Sequence, residues 1–333
     1  MKLGLIFTGG GQSLSDLCAV ASAAENSGFA MLCMAEAWRS GWVPLTAMAA
    51  ATKTINLGPY VLNAYGRSPL LAGMSAIDFD DFSGGRLKLG VGGGNRIINE
   101  QWQGIEHARV LTKMREYVTI LKQMARTPMG EPMTFDGKIH HMAWTPAVEP
   151  RSNPFPVYLA AVFPAMMKVA AGVADGIAAG ATLSPEFLSE IVRPQAEAAA
   201  NAADRDFQEL GWSTVAVTAC DPDRARARQA AREAICHLYA PLPHPYYEYT
   251  MREQGFAAVA DALIELAPKD LQRACEAISD ECLDAIAIAG TPDECRNRLA
   301  DYHGLVDELL LLNAMPPEAD DALASYSALL GLA

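Results

Sequence analysis

The chain alternates short apolar runs with segments of helical periodicity, and this alternation restricts its fold more than any other feature. Each run is continuously apolar, which is typical of strands that helices cover on both faces of a parallel sheet. Between the runs, apolar side chains recur at helical spacing, and Ser184, Asp221 and Thr291 each precede a proline suited to a first helical turn. We predict strands at residues 3–7, 30–35, 55–63, 87–91, 157–161, 176–180, 215–219 and 308–312.

Eight strands alternating with helices predict an α/β fold, a (β/α)8 TIM barrel, rather than an open doubly wound sheet. The open sheet would normally carry a GxGxxG motif after its first strand, and the glycines at 9–11 lack that spacing. Two regions interrupt the alternation: proline-rich residues 128–156, with a hairpin predicted at 135–138, and helical residues 224–289. We therefore predict one domain over residues 1–333, with insertions after strand 4 and strand 7.

Composition and charge limit the classes of partner. Hydrophobic residues make up 51% of the 333 and charged residues 20%, which permits a large buried core. The net charge of −13 and the lack of a basic stripe argue against nucleic acid and anionic membranes as partners. Seven cysteines without a CxxC pair fit a reducing compartment, and neither a signal peptide nor a membrane span is predicted. We expect a cytoplasmic globular protein, with a homodimer as the default assembly.

In a barrel of this kind, chemistry takes place where the carboxyl ends of the strands meet. Glu36 and Trp38 follow the second predicted strand. A carboxylate at the mouth of an apolar barrel is a candidate for catalytic proton transfer, and an indole provides a flat wall for a ring. The alternative is structural: Glu36 would pair with Arg39 or Arg67, and Trp38 would pack against the next helix.

Polar and glycine residues follow the third and fourth predicted strands. Asn63 can donate and accept hydrogen bonds at the polar edge of a ring, and Arg67 supplies a fixed charge for a phosphate. An ordinary capped loop, with Arg67 bridging to a carboxylate, is the alternative. Gly92 and Gly93 allow close approach of a ligand, although turn geometry is the more frequent reason for successive glycines. Zinc, Walker and serine-hydrolase motifs are absent from the sequence, so no metal site is predicted.

The fifth predicted strand leads through a tight turn into a helix. Its apolar run ends in Ala161 and Val162, and Pro164 opens the helix, so a ligand can approach the backbone. Other runs accompany this turn: AAENSGF at 23–29, NAYGRSP at 63–69, DDFSGGRLKLGVG at 80–92, AGTPDECR at 289–296 and VDEL at 306–309. In combination these segments resemble the luciferase-like monooxygenase superfamily, in its coenzyme F420-dependent branch.

The resemblance implies a TIM barrel that binds a deazaflavin across the strand ends. It places a bulge, often with a non-proline cis peptide, beneath the ring near Tyr60 and Val61. The expected phosphate cradle consists of the residues that open the fifth helix, namely Ala161, Val162, Phe163 and Pro164. Relatives usually have glycine at the position of Phe163. Dehydrogenase relatives have histidine at the position of Ala37, which leaves Glu36 as the local acid–base candidate.

The activity implied by the resemblance is that of an F420-dependent oxidoreductase, which passes a hydride between the deazaflavin and a small organic substrate. An FMN-dependent monooxygenase of the same fold is the first alternative. The second is a degenerate barrel that binds flavin or deazaflavin without catalysis, because Phe163 and Ala37 depart from the usual pattern.

Overall fold

A parallel sheet is the centre of the fold in the computed structural model, which describes residues 1–8, 10–239, 245–318 and 321–333. Each barrel strand is almost wholly buried, as the continuous apolar runs predict. The strands are β1 (Lys2–Phe7), β2 (Met31–Met34), β3 (Asn56–Pro59), β4 (Leu62–Asn63), β5 (Leu89–Gly92), β6 (Met133–Asp136), β7 (His141–Trp144), β8 (Val157–Ala160), β9 (Gly176–Ala178), β10 (Gly211–Cys220), β11 (Ala287–Gly290) and β12 (Glu308–Asn313).

The sheet closes into the predicted eight-stranded barrel. Its strands follow the order β3-β2-β1-β12-β10-β9-β8-β5-β4, all parallel, and β3 and β4 are two parts of the third barrel strand. The two ends of this path meet because Leu57 of β3 pairs with Leu87, just before β5. The Leu57 amide donates to the Arg86 carbonyl at 2.9 Å, and the Lys88 amide donates to the Leu57 carbonyl at 3.0 Å. A doubly wound open sheet is therefore excluded.

Helices surround the barrel and fill its insertions. Among the described residues, no helix combines the length and apolar character that crossing a bilayer requires. The helices are α1 (Leu14–Asn26), α2 (Trp42–Ala51), α3 (Pro69–Ser83), α4 (Val110–Met124), α5 (Pro164–Val173), α6 (Pro185–Phe187), α7 (Arg193–Ala202), α8 (Arg224–Tyr239), α9 (Pro245–Glu253), α10 (Ala257–Leu266), α11 (Leu271–Ala277), α12 (Asp280–Ile286), α13 (Pro292–Ala300) and α14 (Ser327–Leu330).

Local sequence explains most of the helix boundaries. Ser68 caps α3 through its side chain, and the helix ends at Gly84 in the left-handed conformation (φ 74°). Thr291, which precedes Pro292, forms a capping box with Glu294 at the start of α13. The prediction for Asp221 is wrong, because Asp223 caps α8 instead. The carboxylate of Asp221 is already engaged, accepting from the Asp223 amide at 2.8 Å.

Both predicted insertions are present. The hairpin pairs β6 with β7 in antiparallel register. The second insertion is helical from α8 to α12, and its residues 240–244 lie outside the described part. Its last residues correct the prediction of helix up to residue 289, because Ala287–Gly290 form β11. This strand pairs in parallel with residues 217–220 of β10, which is long enough to extend past its barrel neighbours.

The lumen of the barrel contains a buried ion pair. Lys88, just before β5, pairs with Glu308 of β12, whose side chain is 4% exposed. The Lys88 ammonium lies 5.8 Å from the centre of the Tyr158 ring. Burial, followed by the Glu308 charge, raises the pKa of the neighbouring Cys33 thiol. These polar groups line a small internal cavity together with Tyr60.

Candidate functional site

The third barrel strand breaks at a non-proline cis peptide between Tyr60 and Val61, which confirms the bulge that the resemblance implied. The hydroxyl of Tyr60 donates to the carbonyl of Ser213 on β10 at 3.1 Å. Its ring packs in the cluster that holds Leu312 of β12 and Tyr247 of α9. Burial raises the pKa of Tyr60 far above its usual value, so the phenol stays neutral. The rings of Tyr60 and Tyr247 thus form an aromatic surface at the bulge, the aromatic floor of the site.

Glu36 and Arg67 form an ion pair at the ends of the second and third strands. Oε1 of Glu36 lies 2.7 Å from Nη2 of Arg67, and both side chains are mostly buried. Oε2 of Glu36 accepts from the amide of Asn63 at 3.1 Å. The pairing with Arg67 that the sequence left open is therefore present, whereas Arg39 donates to the carbonyl of Gln12. Proton transfer by Glu36 stays a prediction.

Arg67 retains one unused donor. Its Nε is buried and has no hydrogen-bond partner among the described residues. A buried N–H without a partner is costly, and an acceptor oxygen from a ligand would satisfy it. The predicted contact of Arg67 with a phosphate remains compatible with this geometry.

Asn63 belongs to a buried amide network. Its Nδ2 donates to Oδ1 of Asn99 at 2.8 Å, and its Oδ1 accepts from the amide of Tyr65. Asn99 lies on a π-helical turn (Ile98–Trp102) and contacts Nδ1 of His107 at 2.8 Å. Burial lowers the pKa of His107, which favours the neutral ring that accepts this bond. The network fixes the strand ends, and contact of Asn63 with a ring stays a prediction.

The glycines after the fourth strand serve internal packing. A Cβ added to Gly92 would lie 2.5 Å from Cγ2 of Val61, so the bulge requires glycine there. The carbonyl of Gly93 accepts from Nδ2 of Asn99 at 2.8 Å. Turn and packing geometry therefore explain both glycines, and their contact with a ligand remains a prediction.

The turn after β8 presents free backbone donors. The amide of Ala161 donates to the carbonyl of Ala178, but those of Val162 and Phe163 bond to no acceptor among the described residues. Phe163 precedes α5 without capping it through a side chain, and Pro164 takes the first helical position. Unbonded amides at the start of a helix attract anions. This geometry agrees with the predicted phosphate cradle, whose occupancy remains a prediction.

Aromatic side chains form two pairs among the loops and the insertion helix at the strand ends. Trp38 is 57% exposed and packs against Trp102 (centroids 4.8 Å apart). Phe163 packs against Tyr249 of α9, with centroids 4.9 Å apart. Sequence reasoning missed Trp102, Tyr249 and the buried Asn99. The only signal for α9 was the aromatic run at 246–249.

The predicted residues thus fall into two groups. The residues after strands two to four form one connected cluster through ion-pair, hydrogen-bond and packing contacts: Glu36, Arg67, Asn63, Gly93, Val61 and Gly92. The residues after strand five contact the insertion helix α9 through Phe163. Both groups lie at the carboxyl ends of the strands, where barrel enzymes place their chemistry.

Comparison with known proteins identifies the family. The family model of luciferase-like monooxygenases matches residues 2–308. The chain belongs to this family. Among its curated relatives, 5,10-methylenetetrahydromethanopterin reductase of Archaeoglobus fulgidus is 31% identical, over 83% of this chain and 82% of the relative. A putative coenzyme F420-dependent oxidoreductase of Mycobacterium tuberculosis is 28% identical, over 98% of both chains.

Solved structures of the family share the fold. The coenzyme F420 dependent tetrahydromethanopterin reductase of Methanopyrus kandleri superposes with a TM-score of 0.78 at 20% identity, covering 99% of this chain and 96% of that one. The oxygenating constituent of 3,6-diketocamphane monooxygenase of Pseudomonas putida, in complex with FMN, gives a TM-score of 0.72 at 18% identity, covering 100% and 96%. These likenesses show the barrel, and the family assignment makes the chain an oxidoreductase.

Proposed function

We propose that this chain is an F420-dependent oxidoreductase that transfers a hydride between the deazaflavin and a small organic substrate. The coarser statement, a deazaflavin or a flavin as cofactor, is supported by relatives named as F420-dependent and by the FMN-bound structural neighbour. The relative named as F420-dependent favours F420 over FMN. The observation that carries the cofactor site itself is the pair of free amides at Val162 and Phe163, where the resemblance expects the cofactor phosphate.

The residues at the mouth fit such a cofactor by the chemistry of their donors. Backbone amides at the start of α5 suit a phosphate, and the unpaired Nε of Arg67 suits an acceptor oxygen. The aromatic floor around Tyr60 suits a flat ring. These three features come from different elements and present only donors and aromatic surface, which matches an anionic, planar ligand.

In the proposed reaction the deazaflavin, once bound, supplies the carbon that accepts or donates the hydride. The residues of this chain position the cofactor against the substrate and shield both from water. The amides of Val162 and Phe163 hold the phosphate, and the exposed Trp38–Trp102 pair limits the access of water. Glu36 holds or releases a proton at Oε2, the oxygen that Arg67 does not bond.

We also propose a single luciferase-like domain over residues 1–333 that acts as a homodimer in the cytoplasm. The dimer is supported by one face of α3, where Leu71, Met74 and Phe82 are 48%, 37% and 57% exposed. Their spacing places them on one side of the helix, and an apolar row of this kind suits a self-complementary interface.

Titration of the purified protein with F420 and with FMN tests the cofactor. We expect micromolar binding of F420, followed by fluorescence, and no binding of FMN at the same concentrations. Cofactor turnover with candidate substrates then tests catalysis. Binding of FMN alone would replace the proposal with an FMN-dependent monooxygenase, and binding of neither would favour a non-catalytic barrel.

Replacement of Phe163 by glycine is expected to tighten F420 binding severalfold, because it removes a bulky side chain from the turn where the resemblance has glycine. The backbone at Phe163 (φ −67°, ψ 140°) is ordinary, and glycine is well tolerated at a helix N-cap. Loss of the contact with Tyr249 costs about 1 kcal/mol in unfolding free energy. Isothermal titration and chemical denaturation measure the two effects.

The matched control is Tyr249→Leu, which removes the aromatic contact but leaves the Phe163 side chain in the turn. It is expected to lower stability similarly without tightening binding. Weaker binding in the folded Phe163→Gly variant would contradict the prediction and make Phe163 a part of the pocket wall.

A further inference from the structure

A cavity of about 90 Å³ lies where β1 and β12 end, on the same face of the barrel as the candidate site. Its walls come from the end of β1, the loop at Gln12, the end of β12 and the 3₁₀ turn that contains Tyr326. One water-sized group needs roughly 10–15 Å³ of such space, so the cavity holds a small organic molecule. Nothing in the proposed cofactor site uses these residues.

The lining has both apolar and uncharged polar surface. Phe7 and Met315 are apolar, whereas Gln12, Asn313 and Tyr326 bring polar groups. Among the described lining residues there is no Asp, Glu, Lys, Arg or His. A charged ligand would be desolvated there without a countercharge, which is costly. The cavity therefore selects for uncharged molecules.

The polar groups leave hydrogen-bonding capacity free. Asn313 is engaged at both ends of its amide, since Nδ2 donates to the Ser325 carbonyl at 3.0 Å and Oδ1 accepts from the Met315 amide at 3.2 Å. Nε2 of Gln12 donates one of its two hydrogens to the hydroxyl of Tyr326 at 3.3 Å, and Oε1 of Gln12 has no partner among the described residues. At this Gln12–Tyr326 edge a ligand carbonyl can accept the second hydrogen of Nε2, and a ligand hydroxyl can donate to Oε1.

The cavity adjoins the floor of the mouth. Ile6 and Leu312 line it, and both also belong to the apolar cluster that contains Tyr60 and Tyr247. The cavity is therefore adjacent to the strand-three bulge, since Ile6 and Leu312 contribute to both. This position suits a substrate pocket beside the ring site of the proposed function.

We infer that this cavity, held at its polar edge by Gln12 and Tyr326, binds a small uncharged molecule with one hydroxyl or carbonyl group as the substrate. That the bound molecule is the substrate rests on the proposed function, but its binding does not require the cofactor. The lining that the structure describes provides no countercharge for an acidic or basic substrate.

Saturation-transfer NMR on the full chain without cofactor tests the inference, using butanone, cyclohexanone and cyclohexanecarboxylate as probes. We expect a neutral ketone to bind and the carboxylate not to bind. The variants Gln12→Leu and Tyr326→Phe are each expected to weaken ketone binding by about tenfold, the loss of one hydrogen bond. Gln208→Leu, an exposed position outside both sites, serves as the matched control and leaves binding unchanged.

Equal ketone binding by wild type and Gln12→Leu would overturn the inference, as would carboxylate binding of equal strength or no ketone binding at all. The outcome is independent of the cofactor titration. Ketone binding without F420 binding would contradict the proposed function and support the cavity assignment. F420 binding without ketone binding would support the proposed function and contradict the cavity assignment.

Discussion

Replacement of Glu36 by glutamine is expected to lower kcat by about a hundredfold while leaving F420 affinity nearly unchanged. Glutamine has the same shape, and its one carbonyl oxygen can still accept from Arg67, although the Asn63 amide then loses its acceptor. It cannot take up or release a proton at Oε2, so the loss falls on turnover. Single-turnover kinetics and a fluorescence titration of the same preparation separate the two quantities.

Two controls accompany this variant. Glu209→Gln makes the same change at an exposed position away from the candidate site and is expected to leave kcat unaltered. Arg67→Gln removes the ion pair but keeps the carboxylate, so it is expected to weaken cofactor binding more than turnover. Equal losses of turnover and binding in Glu36→Gln would show that Glu36 is structural.

Replacement of Gly58 by alanine is expected to lower the unfolding free energy by at least about 3 kcal/mol or to prevent soluble expression. A Cβ on Gly58 would overlap the backbone carbonyl of Lys88, directly at the seam between β3 and the start of β5. The backbone fixes the positions of both this Cβ and the Lys88 carbonyl, so neither can rotate away. Relief requires separation of the Leu57–Leu87 pairing that closes the barrel.

Chemical denaturation measures this loss, with Gly172→Ala as the matched control. Gly172 lies within α5 and its added Cβ would be 3.9 Å from Ala203 and Arg115, so alanine is expected to raise stability by about 0.5–1 kcal/mol. A Gly58→Ala variant as stable as the wild type would mean that the seam opens at little cost.

The alternation of the sequence was sufficient to predict the barrel, because buried parallel strands and capped helices each leave a local pattern. The end of the second insertion was not predictable in the same way. Residues 287–290 follow a helix directly and are short and apolar, so their periodicity does not distinguish helix from strand. They form β11 because the free edge of β10 is available, and that edge depends on contacts far along the chain.

The candidate site likewise contains residues that the sequence predicts and residues that it does not. Glu36, Arg67 and Phe163 follow strand ends and could be located from the barrel rule alone. Trp102, which packs against Trp38, comes from the turn after strand four, and Tyr249, which packs against Phe163, comes from the second insertion. Which loop folds over which strand end is decided by long-range packing, and no local pattern encodes it.

The position of β12 has a consequence for synthesis on the ribosome. This strand lies between β1 and β10, pairing with both, although β1 is made first and residues 308–313 follow about three hundred residues later. Until they emerge, the nascent sheet keeps two open edges whose backbone groups are unpaired, which are sites for association with other chains. The chain therefore depends on protection of these edges, by its own helices or by a chaperone, for most of its translation.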